Sequence, residues 1–319
     1  MPLNEKKLIR RIRDSAPTGR ALVQGIGDDC AVLRVPRGHE LLVTTDFTLE
    51  NVHFRRDWHR PEVVGWRCLT RGLSDIAAMG GEPLAAFLSL AVAGDVPQQW
   101  VDGFLKGLLA QAREFGVPLA GGDTAQSAGG IQADIVVMGS VPRGQAVLRS
   151  GAKAGEQIYV TGELGGSAAA LARLMESKVA GAESKYARHF RPQPRVAVGQ
   201  WLRRHGAASA MIDLSDGLST DLEHICAESH VGAEIKAEAI PRARVGRPNK
   251  EVALELALHG GEDYELLFTS VAAIPATVAG VRVTRIGRTM RSTGMRLIGN
   301  DGKSRMLKAA GWEHFKGTL

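Results

Sequence analysis

Residues 84–115 read LAAFLSLAVAGDVPQQWVDGFLKGLLAQAREF, and this stretch decides the fold. Leu84–Val92 is nine residues with only Ser89 polar, which predicts a continuous apolar strand needing cover on both faces. From Pro97 onward, apolar residues fall at 101, 104, 105, 108, 109, 112 and 115. That is a helical period, stopped by Gly116 and Pro118. Upstream, Pro61 and Glu62 open a helix running to about Met79, and residues 1–20 suggest a short one. Ala31–Val35 and Glu40–Thr45 read as strands joined by a turn at 36–38, and Ala133–Gly139 as a further strand. Downstream, Gln157–Val160 leads into the glycine loop Gly162–Gly166 and a helix from Ser167. A helix near Val196–His205, a strand at Ala210–Leu214 and a helix from Leu218 follow. Strands near Leu266–Thr269, Val281–Ile286 and Met295–Ile298 finish the pattern. Strands and helices alternate in both halves, so the expectation is an α/β (α+β) protein of two domains, 1–150 and 151–319. Several strand pairs have turns too short for a parallel crossover, which predicts mixed or antiparallel sheets.

The chain has 319 residues, 44% hydrophobic and 23% charged, a globular composition long enough for two cores. Its apolar runs are too short to span a bilayer, and the first fifteen residues carry charges at helical spacing without a secretory apolar region. Three widely spaced cysteines without a CxxC predict reduced thiols in a cytoplasmic protein. The net charge of +6 comes with only 5% aromatics and no long basic run, so the expectation includes neither nucleic acid nor membrane as partner. A mildly positive surface also suits a polyphosphate ligand.

No GxxxxGK[ST] is present, and Gly25-Ile26-Gly27 continues into Asp28-Asp29 where a dinucleotide fingerprint needs glycine. The recurring device is an apolar run closed by glycine or a hydroxyl residue beside an acid. It occurs at Gly27-Asp28-Asp29, Thr44-Thr45-Asp46, Gly121-Gly122-Asp123, Asp213-Leu214-Ser215-Asp216 and Gly260-Gly261-Glu262-Asp263, and Asp75 adds an acid to the helix after Pro61. Carboxylates with neighbouring hydroxyls are the hard oxygen ligands Mg²⁺ prefers, and crowded acids need cations before a phosphate can approach. One such corner marks only a turn, whereas five favour a metal site for phosphoryl transfer. The Thr161–Ser167 loop is compatible with two uses, an anion cradle or a tight strand-to-helix turn.

The blocks GDDCAVL (27–33), TTDFTLENVHF (44–54), LSDIAAMGGEP (73–83), GGDT (121–124), RSGAKAGE (149–156), TGELGGSAAAL (161–171), IDLSDGL (212–218) and GGEDYELLFT (260–269) resemble, in order, those of the thiamine-monophosphate kinase family. The resemblance covers nearly the whole chain and implies a two-domain aminoimidazole-ribonucleotide synthetase-like fold. It also implies a homodimer whose N-terminal sheets close into a shared barrel, with metal and ATP binding and dimerisation assigned to 1–150. The implied reaction is direct in-line transfer from ATP to thiamine monophosphate with several Mg²⁺ ions, without a covalent catalytic residue. Matched motif by motif, Asp29, Thr44, Thr45, Asp46, Asp75, Asp123, Asp213 and Asp216 are the implied metal ligands. Gly122, Asp123, Arg149 and Ser215 are the implied ATP contacts. His53, Glu262 and a C-terminal aromatic, Phe315 in preference to Trp312, are the implied acceptor contacts. Some relatives carry a tyrosine for the nucleotide where this chain has Phe104-Leu105. Dimerisation would cover the strand at 84–92, with the helices at 61–79 and 97–115 as the alternative cover, and a charge at Leu88 is expected to disrupt assembly and folding together. Selenophosphate synthetase shares the acidic corners but needs a reactive cysteine or selenocysteine near the N-terminus, and no cysteine precedes Cys30.

Overall fold

The computed structural model describes residues 5–176, 182–246 and 249–315. The chain divides into two compact units, residues 1–76 with 81–145 and residues 77–80 with 146–319. The first unit contains α1 (Glu5–Ser15), β1 (Leu22–Gln24), β2 (Val32–Leu33), β3 (His39–Leu49) and α2 (Pro61–Ala78, its last residues in the second unit). It continues with β4 (Glu82–Ala93), α3 (Gln98–Glu114), β5 (Leu119–Ser127) and β6 (Ile131–Pro142). Its main sheet has the order β3-β6-β4-β5, antiparallel except for the parallel pair β4–β5, which α3 connects. The expected strand at 84–92 and helix at 97–115 are present as β4 and α3.

The expected hairpin 31–35/40–45 is not formed. β2 pairs with β1, and β3 runs antiparallel to β6 along its whole length. Because β6 offers partners as far as Gln132, β3 extends to Leu49 and Thr44-Thr45-Asp46 lies inside the strand rather than at its end. Gly121-Gly122-Asp123 likewise lies within β5, held by pairing to β4.

The two faces of this sheet differ. Ala86, Leu88 and Leu90 of β4, and Ile135 and Val137 of β6, are buried on the face that carries Thr44 and Asp46. Helix α2 packs there: a Cβ on Gly72 would come 2.5 Å from Val137 Cγ2. The opposite face is open, with Val43 61% and Phe47 60% exposed on β3. Phe87 of β4 and Val136 and Met138 of β6 share that face and are half-buried. Leu88 therefore lies on the face that helix α2 covers, the alternative cover expected of the amphipathic helices, where a charge would disturb folding, and the uncovered apolar surface centres on β3.

The second unit holds β7 (Gln157–Thr161), α4 (Gly166–Glu176), the short helices α5 (Ala182–Lys185) and α6 (Ala187–Phe190), and α7 (Val196–Arg204). Next come β8 (Ala210–Asp213), α8 (Leu218–Ser229), β9 (Gly232–Lys236), the small pair β10 (Arg244–Val245) and β11 (Lys250–Glu251), and α9 (Leu254–His259). The last elements are β12 (Leu266–Ser270), β13 (Thr277–Val278), β14 (Val281–Met290), β15 (Met295–Ile298) and β16 (Ser304–Leu307). The sheet runs β16-β15-β9-β14-β7-β12-β8, parallel only at β15–β9, with β13 beside β14. Its core unites Ile158, Val160, Ile212, Leu222, Ile225, Ile235 and Leu267. Among the described residues no helix is long and apolar enough to cross a membrane.

Candidate active site

In the first unit the expected site residues fall in four places. The pleat of β3 sends Thr44 and Asp46 to the face of α2 and Thr45 to the open face. One turn beyond Gly72, Asp75 meets the inner pair: Thr44 Oγ1 donates to Asp75 Oδ2, and Asp46 and Asp75 are hydrogen-bonded. Burial, then the charge of Asp75, pushes the Asp46 carboxyl up to about 7, while Arg71 opposes the shift. Two acids and a hydroxyl at this density form a hard oxygen donor set. On the open face, the Thr45 hydroxyl donates to Asp134 Oδ1 at 2.6 Å.

The third place is a cavity of about 650 Å³ whose lining includes Asp29, Gly122 and Asp123 beside the apolar Ile9, Ile12 and Phe87. Gly122 has φ 147°, and a Cβ on it would lie 1.8 Å from the Leu88 carbonyl oxygen, so β5 can follow β4 here only as glycine. Asp123 is exposed, and its Oδ1 accepts the Thr124 N–H at 2.8 Å. His53 sits in the turn after β3. Its Nδ1 accepts the Leu49 N–H at 3.0 Å, which leaves the ring proton on Nε2.

In the second unit Asp213 is buried at the end of β8, paired with Leu266, and Ser215 and Asp216 occupy the turn into α8. Asp221, in the first turn of α8, reaches back so that its Oδ2 accepts the N–H groups of Asp216 (3.2 Å) and Gly217 (3.0 Å). Burial and the charge of Asp216 push Asp221 up to about 8, with Arg149 acting against them. Ligand atoms of Asp216, Asp221 and His224 lie within 4.8 Å of one another. Arg149 is exposed on the short 3₁₀ turn Arg149–Gly151, whose start is tied down by the Ser229 hydroxyl donating to the Arg149 carbonyl at 2.7 Å.

The C-terminal segment docks on the start of α8. The N–H groups of Ala310, Gly311 and Trp312 donate to Ser219 Oγ (3.3 Å), Thr220 Oγ1 (3.0 Å) and the Asp216 carbonyl (3.0 Å). Trp312 thereby lines a cavity of about 990 Å³ together with Asp216, Glu223, His224 and His314. Phe315 is fully exposed and is not among its lining residues.

Glu262 lies in the loop 260–265, where it and Tyr264 both adopt left-handed backbone, φ 65° and 51°. Each left-handed side-chain-bearing residue costs on the order of 1–2 kcal/mol. The Glu262 and Tyr264 N–H groups donate to the carbonyls of Ser215 (2.8 Å) and Leu214 (2.9 Å), lacing this loop to the 213–217 turn. Buried Glu265 is held by Arg195 Nε at 2.6 Å and the Thr161 hydroxyl at 2.6 Å. Asp263 caps α4: its Oδ2 accepts the Gly165 N–H at 2.6 Å and its Oδ1 the Ser167 N–H at 3.3 Å. The Thr161–Ser167 loop is thus a strand-to-helix turn whose amides are already engaged by a carboxylate, which rules in the plainer of its two uses.

Sequence reasoning missed Asp134, Asp221 and His224. Asp134 sits inside a strand with no turn signal around it. Asp221 and His224 stand three apart on α8, a spacing that puts two ligand types on one helical side, and this was a usable signal.

The AIR synthase related protein N-terminal domain matches residues 27–141, and the corresponding C-terminal domain matches residues 153–296. The thiamine-monophosphate kinase of Salmonella typhimurium is 39% identical over 99% of both chains, and that of Bacillus subtilis 35% identical over 98% of this chain and 100% of its own. The crystal structure of thiamine-monophosphate kinase from Stenotrophomonas maltophilia superposes with a TM-score of 0.82 at 36% identity, covering 96% of this chain and 99% of that one. A structure of AaThiL complexed with AMPPCP and TMP superposes with a TM-score of 0.77 at 31% identity over 99% of both chains. With both domain matches in order and relatives aligned from end to end, the chain belongs to the thiamine-monophosphate kinase family and has the two-domain fold of the AIR synthase related proteins.

Proposed function

We propose that this protein transfers the terminal phosphoryl group of ATP to thiamine monophosphate, giving thiamine diphosphate and ADP. The observation that carries the reading is the set of acidic clusters in a chain that matches this family from end to end. The complex of a relative with AMPPCP, an ATP analogue, and TMP supports both substrates.

The residues fit magnesium. Thr44, Asp46 and Asp75 in the first unit, and Asp216 with Asp221 in the second, are oxygen donors, and burial first and a neighbouring acid second push Asp46 up to about 7 and Asp221 up to about 8. Raised carboxyls mark a place where a cation relieves repulsion. We assign Asp29, Thr44, Asp46, Asp75, Asp123, Asp213 and Asp216 to this role, with Thr45 acting from the other face of β3. Mg²⁺ held by these groups would neutralise phosphate oxygens and favour direct in-line displacement. Gly122 lets backbone approach where a side chain would collide, and Asp123, Arg149 and Ser215 complete the assigned ATP contacts. Arg149 is exposed and cationic, suited to a phosphate. His53 and Glu262 are assigned to the acceptor. For the aromatic contact we favour Trp312, which lines a cavity beside Asp216, over the exposed Phe315.

The functional split is drawn at 1–150, which holds dimerisation and most of the assigned metal and nucleotide contacts, and 151–319, the second domain, which adds Asp213, Ser215 and Asp216. A homodimer in which two N-terminal sheets form a shared barrel is supported by the open apolar face of β3, β6 and β4, which a second copy would cover. The three free thiols suit the cytoplasm. The test is an assay of purified protein with ATP, Mg²⁺ and thiamine monophosphate, following ADP and thiamine diphosphate. Free thiamine should be a poor acceptor, and phosphorylation of thiamine but not of its monophosphate would overturn the assignment.

A further inference from the structure

The loop 260–265 is unusual in placing one aspartate between two side-chain-bearing residues in left-handed conformation, Glu262 and Tyr264. Tyr264 is anchored by its own burial, at 2% exposure. Glu262 is half-buried, and its peptide N–H is bonded to the Ser215 carbonyl in the turn that carries Ser215 and Asp216. Strained backbone of this kind persists only where the surroundings over-determine it. Here the over-determination comes from both sides. The peptide groups are bonded to the 213–217 turn, while the Asp263 side chain reaches the opposite way, to the Gly165 and Ser167 amides at the start of α4. Glycine is enforced beside it, since a Cβ on Gly261 would lie 2.5 Å from the Ser215 carbonyl oxygen, so the loop cannot slide along the turn.

We infer that Asp263 is a positioning residue for the acceptor substrate: by clamping the loop to the N-terminus of α4 it holds Glu262 in its left-handed conformation and sets where the Glu262 carboxylate stands. The inference rests on the assignment of Glu262 to the acceptor. Asp263 does not touch substrate. It acts through the backbone of its neighbour, and the helix start supplies a rigid anchor because two of its unpaired amides point at one carboxylate. Replacing one carboxylate oxygen by an amide NH₂ sets a donor against a donor at Gly165 or Ser167, which releases the clamp while preserving size.

The experiment is a kinetic double-mutant cycle with ATP and thiamine monophosphate, using Asp263→Asn, Glu262→Ala and the double variant, with Asp263→Ser in place of Asp263→Asn if the latter is insoluble. Each single variant should raise KM for thiamine monophosphate about tenfold and leave KM for ATP within about twofold, and the double variant should be no worse than Glu262→Ala alone. A double variant about a hundredfold worse, a KM for ATP that rises in parallel, or a wild-type KM in Asp263→Asn would each overturn the inference. Failure of both Asp263 variants to yield soluble protein would make the residue a folding determinant and overturn it as well. If Glu262→Ala alone has wild-type KM, it is the acceptor assignment that fails, and the two failures are thus told apart.

Discussion

Asp46 carries a pH signature that can be worked out in sign. Its carboxyl is raised from 3.8 to about 7 in the native state, by burial first and then by the charge of Asp75. The native protein therefore keeps a proton that the unfolded chain has released. The stability this provides is fully present below pH 3.8 and is lost progressively as the pH rises through about 7. In metal-free buffer, Asp46→Asn should melt above the wild type at pH 8, with the difference shrinking toward pH 4; equal melting curves at pH 8 would contradict the burial and repulsion described above. The same variant, and Asp123→Asn, should lower kcat about a hundredfold or more with Mg²⁺ present, because each removes an assigned ligand charge. At the other end of the chain, Trp312→Ala should raise KM for thiamine monophosphate about tenfold, whereas Phe315→Ala should stay within about twofold. ADP release measured against acceptor concentration separates the two aromatics.

Helix α2 sets the position of Asp75 relative to β3, and Gly72 sets the position of α2. Alanine there would bring a Cβ to 2.5 Å from Val137 Cγ2, so Gly72→Ala should destabilise by about 1–3 kcal/mol and weaken Mg²⁺ binding together. Denaturant unfolding and a Mg²⁺ titration check it, and unchanged values in both would show that the helix has room to spare. Periodicity alone makes α2, β4 and α3 legible, because their apolar pattern is local and long. It misjudges β3, because a strand's partner is not written in its own residues: a turn at 36–38 suggests a local hairpin, while the true partner β6 lies far along the chain. The acidic corners are legible as composition but not as placement. Thr44 and Thr45 are adjacent in sequence and on opposite faces of the sheet, and Asp134 is picked out only by its bond to Thr45. The clamp at Asp263 is hidden for a similar reason, since its partners are 98 and 96 residues away.

For the whole molecule, the open face of the N-terminal sheet, with Val43 and Phe47 exposed, is where the proposed homodimer is tested. Phe47→Glu or Val43→Glu should halve the particle mass, from about twice 34.1 kDa to one copy, and lower activity with it. Light scattering at micromolar concentration decides this, and a wild-type mass of one copy in the active enzyme would show that the open face needs no partner. The pairing of β3 with β6 has a consequence in time as well as in space. Thr45 and Asp134 are 89 residues apart, so their meeting closes a long loop, whereas α2 and α3 close through local contacts. Loop-closure entropy places such long-range pairings late. On dilution from denaturant, the far-ultraviolet helical signal should return first and Mg²⁺-dependent turnover only afterwards, and simultaneous recovery of the two would show that the β3–β6 pairing sets no separate step.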